Sequence, residues 1–215
     1  DVYNGIKSFE TGTELKKFDI AFFSLQFEED YFKAVEILKK SKFEGTKIAG
    51  GPCIMENPLP LLEYFDAFFI GEIENSIEDI LEAALNKDFG GIDGIYTGKE
   101  RKVKRKFPKR LNEYLKVQIF GEGAYGKSIL LEVGRGCTGL CKFCLTRQIY
   151  FPPRWRDLEI LLETVKENIK ITKKVALVAP SVTDYPRICE LVNELFNLGC
   201  LISPSSLRAD TLEID

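Results

Sequence analysis

The chain has 215 residues, of which 45% are hydrophobic and 29% charged, and its formal net charge is −3. This length favours one large domain or two small ones, the composition excludes a disordered tail, and no apolar run reaches the roughly 18 residues of a membrane-spanning helix. The chain contains no histidine, which excludes Cys/His zinc fingers, histidine-dependent nucleophile systems and histidine-ligated metal centres within it. It also shows no secretory signal at its start, so we expect a cytoplasmic protein.

Short apolar strands alternate with amphipathic helices in the first 90 residues. Strands are predicted at 18–25, 46–51 and 67–71. The helix faces are formed by Tyr31, Ala34, Val35 and Leu38, and by Ile77, Ile80, Leu81 and Ala84. Ser76 followed by Asp79 predicts a capping box at the start of the second helix. The alternation predicts an α/β domain over residues 1–90, with a parallel sheet and helices on its faces.

Residues 91–127 have a different pattern, which predicts a hairpin and linker. Two short alternating runs flank Gly98, and residues 99–110 contain eight Lys or Arg and one Glu. Clustered cations of this kind can bind nucleic-acid phosphates. A solvated linker is nevertheless favoured, because the rest of the chain is acidic and no aromatic interleaving suits stacking on bases.

The αβ alternation resumes over residues 128–215. Strands are predicted at 128–133, 174–179 and 200–203. The helix faces are formed by Leu158, Leu161, Leu162, Val165 and Ile169, and by Ile188, Leu191, Val192 and Leu195. Pro186 is expected in the opening turn of the second helix and Gly199 just past its end.

Three of the six cysteines lie within eight positions, in the Gly-rich loop that follows the predicted strand 128–133; they are Cys137, Cys141 and Cys144. Functional sites in parallel α/β folds gather at this carboxyl end of the strands. Thiolates suit iron–sulfur clusters or zinc. A closed zinc site uses four ligands and a cubane cluster is usually held by about four cysteines. Three ligands therefore suggest an iron with an open coordination position.

Two alternatives place the same thiols in a protein without enzymatic activity. The cysteines could be reduced core residues, or ligands of an iron–sulfur or zinc module completed by Cys53, Cys189 or Cys200. In such a module the metal could be structural and the basic run 99–110 could bind RNA.

The spacing Cys137-x-x-x-Cys141-x-Phe143-Cys144 resembles the signature of radical S-adenosylmethionine (SAM) enzymes. The resemblance implies that the three cysteines hold a 4Fe-4S cluster and that SAM chelates the fourth iron. One electron, supplied by a reductant such as ferredoxin or flavodoxin, would then cleave SAM and release a 5′-deoxyadenosyl radical. The same resemblance implies that Phe143 lies beside the adenine of SAM.

The segments at the ends of the second and third predicted strands of residues 128–215 match the same family to different degrees. Its second strand often ends in a Gly-Gly-Glu-like segment, which residues 179–184 do not match. Ser181, Thr183 or Asp184 could replace that contact. The end of the third strand resembles that of cobalamin-linked members, which implies that Arg208 binds the cofactor; an arginine can meet a carboxylate bidentately. The alternative for Arg208 is a surface arginine at a helix start.

The first domain resembles the Rossmann-like, cobalamin-binding domain that precedes the radical domain in one subgroup. Ser24 ends one predicted strand, and Gly50 and Gly51 end the next; the resemblance implies that they line a pocket for the nucleotide tail of cobalamin. These residues are also common in any α/β sheet. The subgroup's Asp-x-His-x-x-Gly loop cannot exist in a chain without histidine, so the resemblance leaves cobalamin binding open.

The resemblance finally predicts a fragment of a longer protein. Residues 128–215 provide about three βα units, at roughly 30 residues each, of the six that the family's partial barrel contains. The expected fold class is α/β, a Rossmann-like domain (1–90), a hairpin and linker (91–127) and the first part of a radical SAM partial barrel (128–215). The substrate and the catalytic residues are not predicted; cobalamin-linked methyl transfer is one reaction that this layout would suit.

Overall fold

The computed structural model describes residues 5–100, 102–114, 117–120 and 125–211. The chain divides into two compact units, Asp1–Pro108 and Lys109–Asp215, with one four-stranded sheet in each. The unit boundary falls inside the predicted linker 91–127, and the domain limits given above stay predictions. None of the described helices is long and apolar enough to cross a membrane.

The sheet of the first unit has the order β1-β2-β3-β4. Its strands are β1 (Ile20–Ser24), β2 (Thr46–Gly50), β3 (Ala67–Phe69) and β4 (Ile95–Tyr96). The first three strands are parallel, and β4 pairs antiparallel with β3. A hairpin around Gly98 would pair the segments on its two sides with each other. Instead, β4 before Gly98 pairs with β3, and Lys106 after Gly98 forms an isolated bridge to Gly71.

Helices cover both faces of this sheet. They are α1 (Asp30–Ser41), α2 (Pro52–Glu56) and α3 (Ile77–Asn86). Neighbouring side chains of a strand point to opposite faces: Ala49 packs in the core that contains α1 and α2 residues, and Ile48 in the core that contains Ile80 of α3. The parallel sheet and the helical faces confirm the predicted α/β class.

The predicted capping box at α3 does not form. Ser76 is the N-cap residue of α3, but its side chain makes no capping hydrogen bond. A short 3-10 turn, Ile73–Asn75, ends at Ser76 and leaves its ψ at 1°. An N-cap residue usually has extended backbone angles, so the turn places the hydroxyl away from the amide it would cap.

The sheet of the second unit has the order β10-β9-β6-β5. Its strands are β5 (Val117–Phe120), β6 (Ser128–Glu132), β9 (Lys174–Val178) and β10 (Leu201–Pro204). The last three are parallel and β5 is antiparallel to β6. A separate ribbon pairs β7 (Gly134–Arg135) with β8 (Arg154–Trp155). The strands β5, β7 and β8 are not among those predicted from the sequence.

Two long helices of the second unit pack on one face of its sheet. The helices of this unit are α4 (Leu145–Tyr150), α5 (Leu158–Asn168) and α6 (Ile188–Asn197). Every second residue of β6 and β9 joins α5 and α6 in one buried core. Pro186 lies before α6 rather than in its first turn, while Gly199 follows α6 with φ +73°, as a helix C-terminus requires.

Candidate active site

The cysteine loop, residues 136–144, leaves the carboxyl end of β6 through the β7–β8 ribbon. A Cβ atom at Gly134 would lie 2.2 Å from Cε3 of Trp155, so only glycine lets the indole lie against this strand. Gly136 has φ +83°, and a Cβ there would lie 2.6 Å from the carbonyl oxygen of Tyr150. These two glycines allow the segment after the loop to fold back against its first residues.

Two of the three loop sulfurs converge on Gly139. Its Cβ position lies 3.3 Å from Sγ of Cys137 and 3.7 Å from Sγ of Cys141. The Cys144 amide donates to the Cys141 carbonyl at 3.2 Å, which turns the chain into α4. All three cysteines are free thiols, and none of them is buried. Across the described residues, no three His, Cys, Asp or Glu side chains are grouped closely enough to hold a metal ion.

Phe143 and Ser181, both assigned to cofactor binding, have opposite environments. The Phe143 ring is 92% exposed, which leaves it available to a ligand. Ser181 is 1% exposed, and its hydroxyl lies 3.4 Å from that of Thr183. Ser181 is therefore covered by protein atoms in this structure.

Asp184 ends the short 3-10 turn after β9, and its side chain is only 4% exposed. The Thr138 hydroxyl donates to it at 2.5 Å, and Nη1 of Arg208 lies 3.4 Å away. Burial by itself raises the pKa of this carboxyl. The hydrogen bond from Thr138, the positive charge of Arg208 and the hydrogen bonds of Ser181 and Arg208 outweigh burial, and the pKa lies below its usual value.

Arg208 lies after β10 and makes contacts in three directions. Nε and Nη2 donate to the two carboxylate oxygens of Asp210, at 3.1 and 2.5 Å, and Nη1 donates to the Thr138 hydroxyl at 3.2 Å. Its side chain is 33% exposed. Arg208 is thus not a fully solvated surface arginine. Its guanidinium donors are already bonded to protein groups, the carboxylate of Asp210 among them.

A second ion-pair network lies at the root of the loop. The Arg156 side chain is fully buried and pairs with Glu132 at the end of β6. Arg135 also donates to Glu132, at 2.6 Å, and Arg156 donates to the carbonyl oxygens of Leu111 and Tyr114. Glu132 is not among the site residues predicted from the sequence, although a Glu within an apolar strand is a signal, since a buried carboxylate needs a cation.

Ser24 and Gly50, assigned by resemblance to a cobalamin pocket, lie side by side. They are paired residues at the carboxyl ends of β1 and β2. Ser24 is exposed and accepts a hydrogen bond from the Gln26 side chain. A Cβ at Gly50 would meet ordinary contacts, the nearest at 3.6 Å, whereas Gly51 has φ +98° and its Cβ would lie 2.6 Å from the carbonyl oxygen of Leu25. Close backbone packing therefore explains Gly51, whereas a side chain at Gly50 would only come into ordinary contact with Phe69.

The cysteines outside the loop differ in position and exposure. Cys53 is buried in α2 of the first unit and Cys189 is exposed on α6. Cys200 precedes β10 at the amino edge of the parallel strands, and the cysteine loop leaves from their carboxyl edge. About five residues of strand separate the two levels, or roughly 16 Å. Cys200 is thus too far away to complete a site in the loop, and burial raises the pKa of its thiol.

Part of the basic run 99–110 is engaged within the first unit. Nζ of Lys106 lies 3.5 Å from the Asp93 carboxylate, and the Arg105 guanidinium lies 4.5 Å from the centre of the Phe107 ring. These contacts agree with the linker interpretation; nucleic-acid binding stays an untested alternative.

Comparison with known families identifies both parts of the chain. The model described as "Radical SAM proteins, N-terminal" matches residues 4–93, and the model of the radical SAM superfamily matches residues 131–211. The chain belongs to the radical SAM family. The resemblance read from the cysteine spacing is thereby confirmed.

Two proteins of Methanocaldococcus jannaschii are similar to this radical SAM chain. "Uncharacterized protein MJ0966" is 48% identical over 225 residues, which cover 100% of this chain and 50% of that protein. "Putative methylthiotransferase MJ0865" is 26% identical over 164 residues, 70% of this chain and 35% of that protein. The chain thus spans half or less of the relatives it matches.

Two solved structures share the fold. The methyltransferase TsrM from Kitasatospora setae, with cobalamin and a 4Fe-4S cluster bound, has a TM-score of 0.55 over 82% of this chain and 40% of its own. The cobalamin-dependent radical enzyme OxsB, with aqua-cobalamin bound, has a TM-score of 0.51 over 83% of this chain and 28% of its own. Both are 14% identical to this chain, which supports the predicted Rossmann-like and partial-barrel architecture.

Proposed function

We propose that this radical SAM chain binds a 4Fe-4S cluster through Cys137, Cys141 and Cys144 and binds SAM at the same loop. The observation that carries the proposal is the convergence of the Cys137 and Cys141 sulfurs on Gly139, at 3.3 and 3.7 Å from its Cβ position. Thiolates are the ligands that iron–sulfur clusters use. A donor set of three in one loop fits a cluster that leaves one iron to a small ligand.

The loop residues have separate tasks in this proposal. When bound, the cluster and SAM supply the one-electron reductive cleavage of the sulfonium. The three cysteines would hold the iron as thiolates. The exposed Phe143 ring offers an apolar surface to the adenine. Arg208 offers a cation to the carboxylate of SAM, in competition with Asp210.

A one-electron donor is required as a partner, because each reductive cleavage of SAM consumes one electron that has to be replaced. A ferredoxin or flavodoxin would fit this task. The substrate would donate a hydrogen atom to the radical or accept a methyl group.

Anaerobic reconstitution of the chain with iron and sulfide tests the proposal. We expect about four iron and four sulfide per chain, and a changed paramagnetic resonance spectrum of the reduced cluster when SAM is added. Each of Cys137→Ser, Cys141→Ser and Cys144→Ser should lower the iron content. Cys189→Ser is the matched control, because Cys189 is a free, exposed thiol outside the loop, and it should leave the iron content unchanged.

Three results would contradict the proposal. An iron-free loop after reconstitution, with one zinc bound instead, would favour the structural metal module. An unchanged spectrum on addition of SAM would show that no iron is open to this ligand. A loss of iron in Cys189→Ser equal to that in the loop variants would point to a fourth protein ligand.

We propose as a second function that the first unit binds cobalamin at the carboxyl ends of β1 and β2. The fold likeness to TsrM and OxsB, both described with cobalamin bound, supports it. So do the exposed position of Ser24 and the partly exposed position of Gly50, which lie side by side at this end of the sheet. Cobalt would have no histidine ligand from this chain, which contains none.

Equilibrium dialysis of the chain against hydroxocobalamin tests this second function. We expect retention by the wild-type chain and its loss in Gly50→Leu, which puts a bulky side chain at the carboxyl end of β2. Phe32→Leu is the control, because Phe32 is an exposed residue of α1, and this variant should retain the ligand. Equal retention by the wild type and Gly50→Leu would place cobalamin elsewhere, and no retention by the wild type would exclude cobalamin binding.

A further inference from the structure

Three segments that are distant in sequence meet at the Asp184 carboxylate. They are the cysteine loop, the turn after β9 and the segment after β10. Asp184 Oδ2 accepts from the Thr138 hydroxyl at 2.5 Å and lies 3.4 Å from Nη1 of Arg208. The contact spans 46 residues to Thr138 and 24 residues to Arg208. A carboxylate with 4% side-chain exposure therefore ties the loop to the edge of the sheet.

Thr138 uses both capacities of its hydroxyl in this contact. It donates to Asp184, and it accepts from Nη1 of Arg208 at 3.2 Å. A hydroxyl can serve as one donor and as an acceptor at the same time, so anion, hydroxyl and cation form a closed triangle. Bonds to ionised groups of this kind are stronger than those between neutral groups.

The triangle lies beside the first ligand of the loop. Thr138 follows Cys137, whose Sγ is 3.8 Å from Asp184 Oδ2, and Nη1 of Arg208 is 3.8 Å from the Cβ position of Gly139. The rest of the loop has little cover: Leu140 is 75% exposed and Phe143 is 92% exposed. The triangle thus fixes the part of the loop that carries the sulfur of Cys137, while the part beyond Gly139 is open to solvent.

We infer that Asp184 is a positioning residue which, through Thr138 and Arg208, holds the Cys137–Gly139 stretch at the carboxyl edge of the sheet and so prepares the loop to take up and retain its iron. This inference rests on the proposed cluster. Groups that orient metal ligands typically change metal affinity by about 10- to 100-fold when they are removed. Asp184 does not itself act as an iron ligand in this inference; it acts on the backbone of the loop through a side chain next to the ligand.

Variants of Thr138 and Asp184 separate this role from general folding. Thr138→Val removes both hydrogen bonds and keeps the shape, whereas Thr138→Ser keeps the hydroxyl. Asp184→Ala removes the carboxylate. Asp210→Asn is the matched control, because Asp210 also pairs with Arg208 but is exposed and is not among the loop's contacts.

The first measurement is the rate at which the reconstituted full chain loses iron to a chelator. We expect Thr138→Val and Asp184→Ala to lose iron about 10- to 100-fold faster than the wild type, with Thr138→Ser and Asp210→Asn close to the wild type. Circular dichroism and the fluorescence of Trp155 report whether each variant is folded. Wild-type iron retention in folded Thr138→Val and Asp184→Ala would overturn the inference, and so would equal losses in Thr138→Val and Thr138→Ser.

The second measurement uses the cluster-free chain and distinguishes failure of the inference from failure of the proposed function. The alkylation rate of Cys137 is followed by peptide mass spectrometry, with the exposed Cys189 as internal reference. Loss of the triangle should raise the rate at Cys137 in Thr138→Val and Asp184→Ala and leave Cys189 unchanged. A wild-type chain that takes up no iron refutes the proposed function; unchanged alkylation of Cys137 in both variants refutes the triangle.

Discussion

The buried pair of Arg156 and Glu132 should be strongly coupled in unfolding experiments. Arg156 has no exposed side-chain surface, and Glu132 is 24% exposed. Glu132→Gln leaves a buried guanidinium facing an amide and backbone carbonyls, and Arg156→Met leaves Glu132 with Arg135 and some solvent. Removal of one partner of a buried pair costs about 3–5 kcal/mol. We expect about 3 kcal/mol for each variant, because each remaining partner keeps some compensation.

The double variant is the decisive one. Without either charge, the double variant leaves neither partner of the pair as an uncompensated charge, so its loss should be about 4 kcal/mol rather than the sum of the two single losses. The coupling energy is then about 2 kcal/mol, within the range for residues in direct contact. The hydrogen bonds that Arg156 donates to the Leu111 and Tyr114 carbonyls are lost whenever Arg156 is replaced, with or without Glu132. Their contribution therefore cancels from the coupling energy.

Urea unfolding of the full chain, followed by tryptophan fluorescence, measures these losses. Trp155 is the single tryptophan, and its ring packs edge-on against Tyr185 at 5.9 Å, so its emission reports on the second unit. Glu159→Gln, in an exposed pair with Arg187, is the control and should leave the midpoint unchanged. Additivity of the two single losses within about 0.5 kcal/mol would refute the reasoning.

Three further predictions concern packing and pH. Gly134→Ala should destabilise the second unit by about 1–3 kcal/mol. When Trp155→Ala is added to Gly134→Ala, it should relieve part of that loss; thermal unfolding followed by circular dichroism measures both effects. Burial raises the pKa of Tyr185 to about 12; the neutral phenol therefore stabilises the folded state below pH 10.0, its unperturbed pKa, and this contribution is lost as the pH rises towards about 12. Tyr185→Phe should flatten the fall of the unfolding midpoint in that pH window, and an equally steep fall would contradict the assignment. Gly51→Ala should lower the midpoint through its positive φ and close contact, whereas Gly50→Ala should not; equal effects would show that the strand ends differ from those described.

The helical faces and buried strands could be predicted because they repeat. Leu158, Leu161 and Val165 recur at helical spacing, and all three are buried. The two-residue strands β7 and β8 have no such period, since a strand needs about four residues before alternation is visible. They form because Gly134 admits the Trp155 ring, which is a contact between residues 21 positions apart.

The candidate site shows the same division between local and distant information. Cys137, Cys141 and Cys144 were identified because their spacing is a local pattern, whereas the partners of Thr138 depend on the register of β6, β9 and β10. Parallel strands bring their carboxyl ends to one edge, and this rule places the segments after β6, β9 and β10 together. It does not specify which side chains meet there.

Arg208 shows why the partner matters more than the residue type. Its fork can bind any carboxylate bidentately, and the resemblance assigned it to a cofactor. In this structure Asp210, two residues away, takes the Nε and Nη2 donors, and Nη1 faces Thr138 and Asp184. In the proposed site, a cofactor carboxylate would therefore displace Asp210, which is exposed, rather than Asp184, which is buried. The same guanidinium can then bind an anion from solvent while its other side continues to hold the cysteine loop.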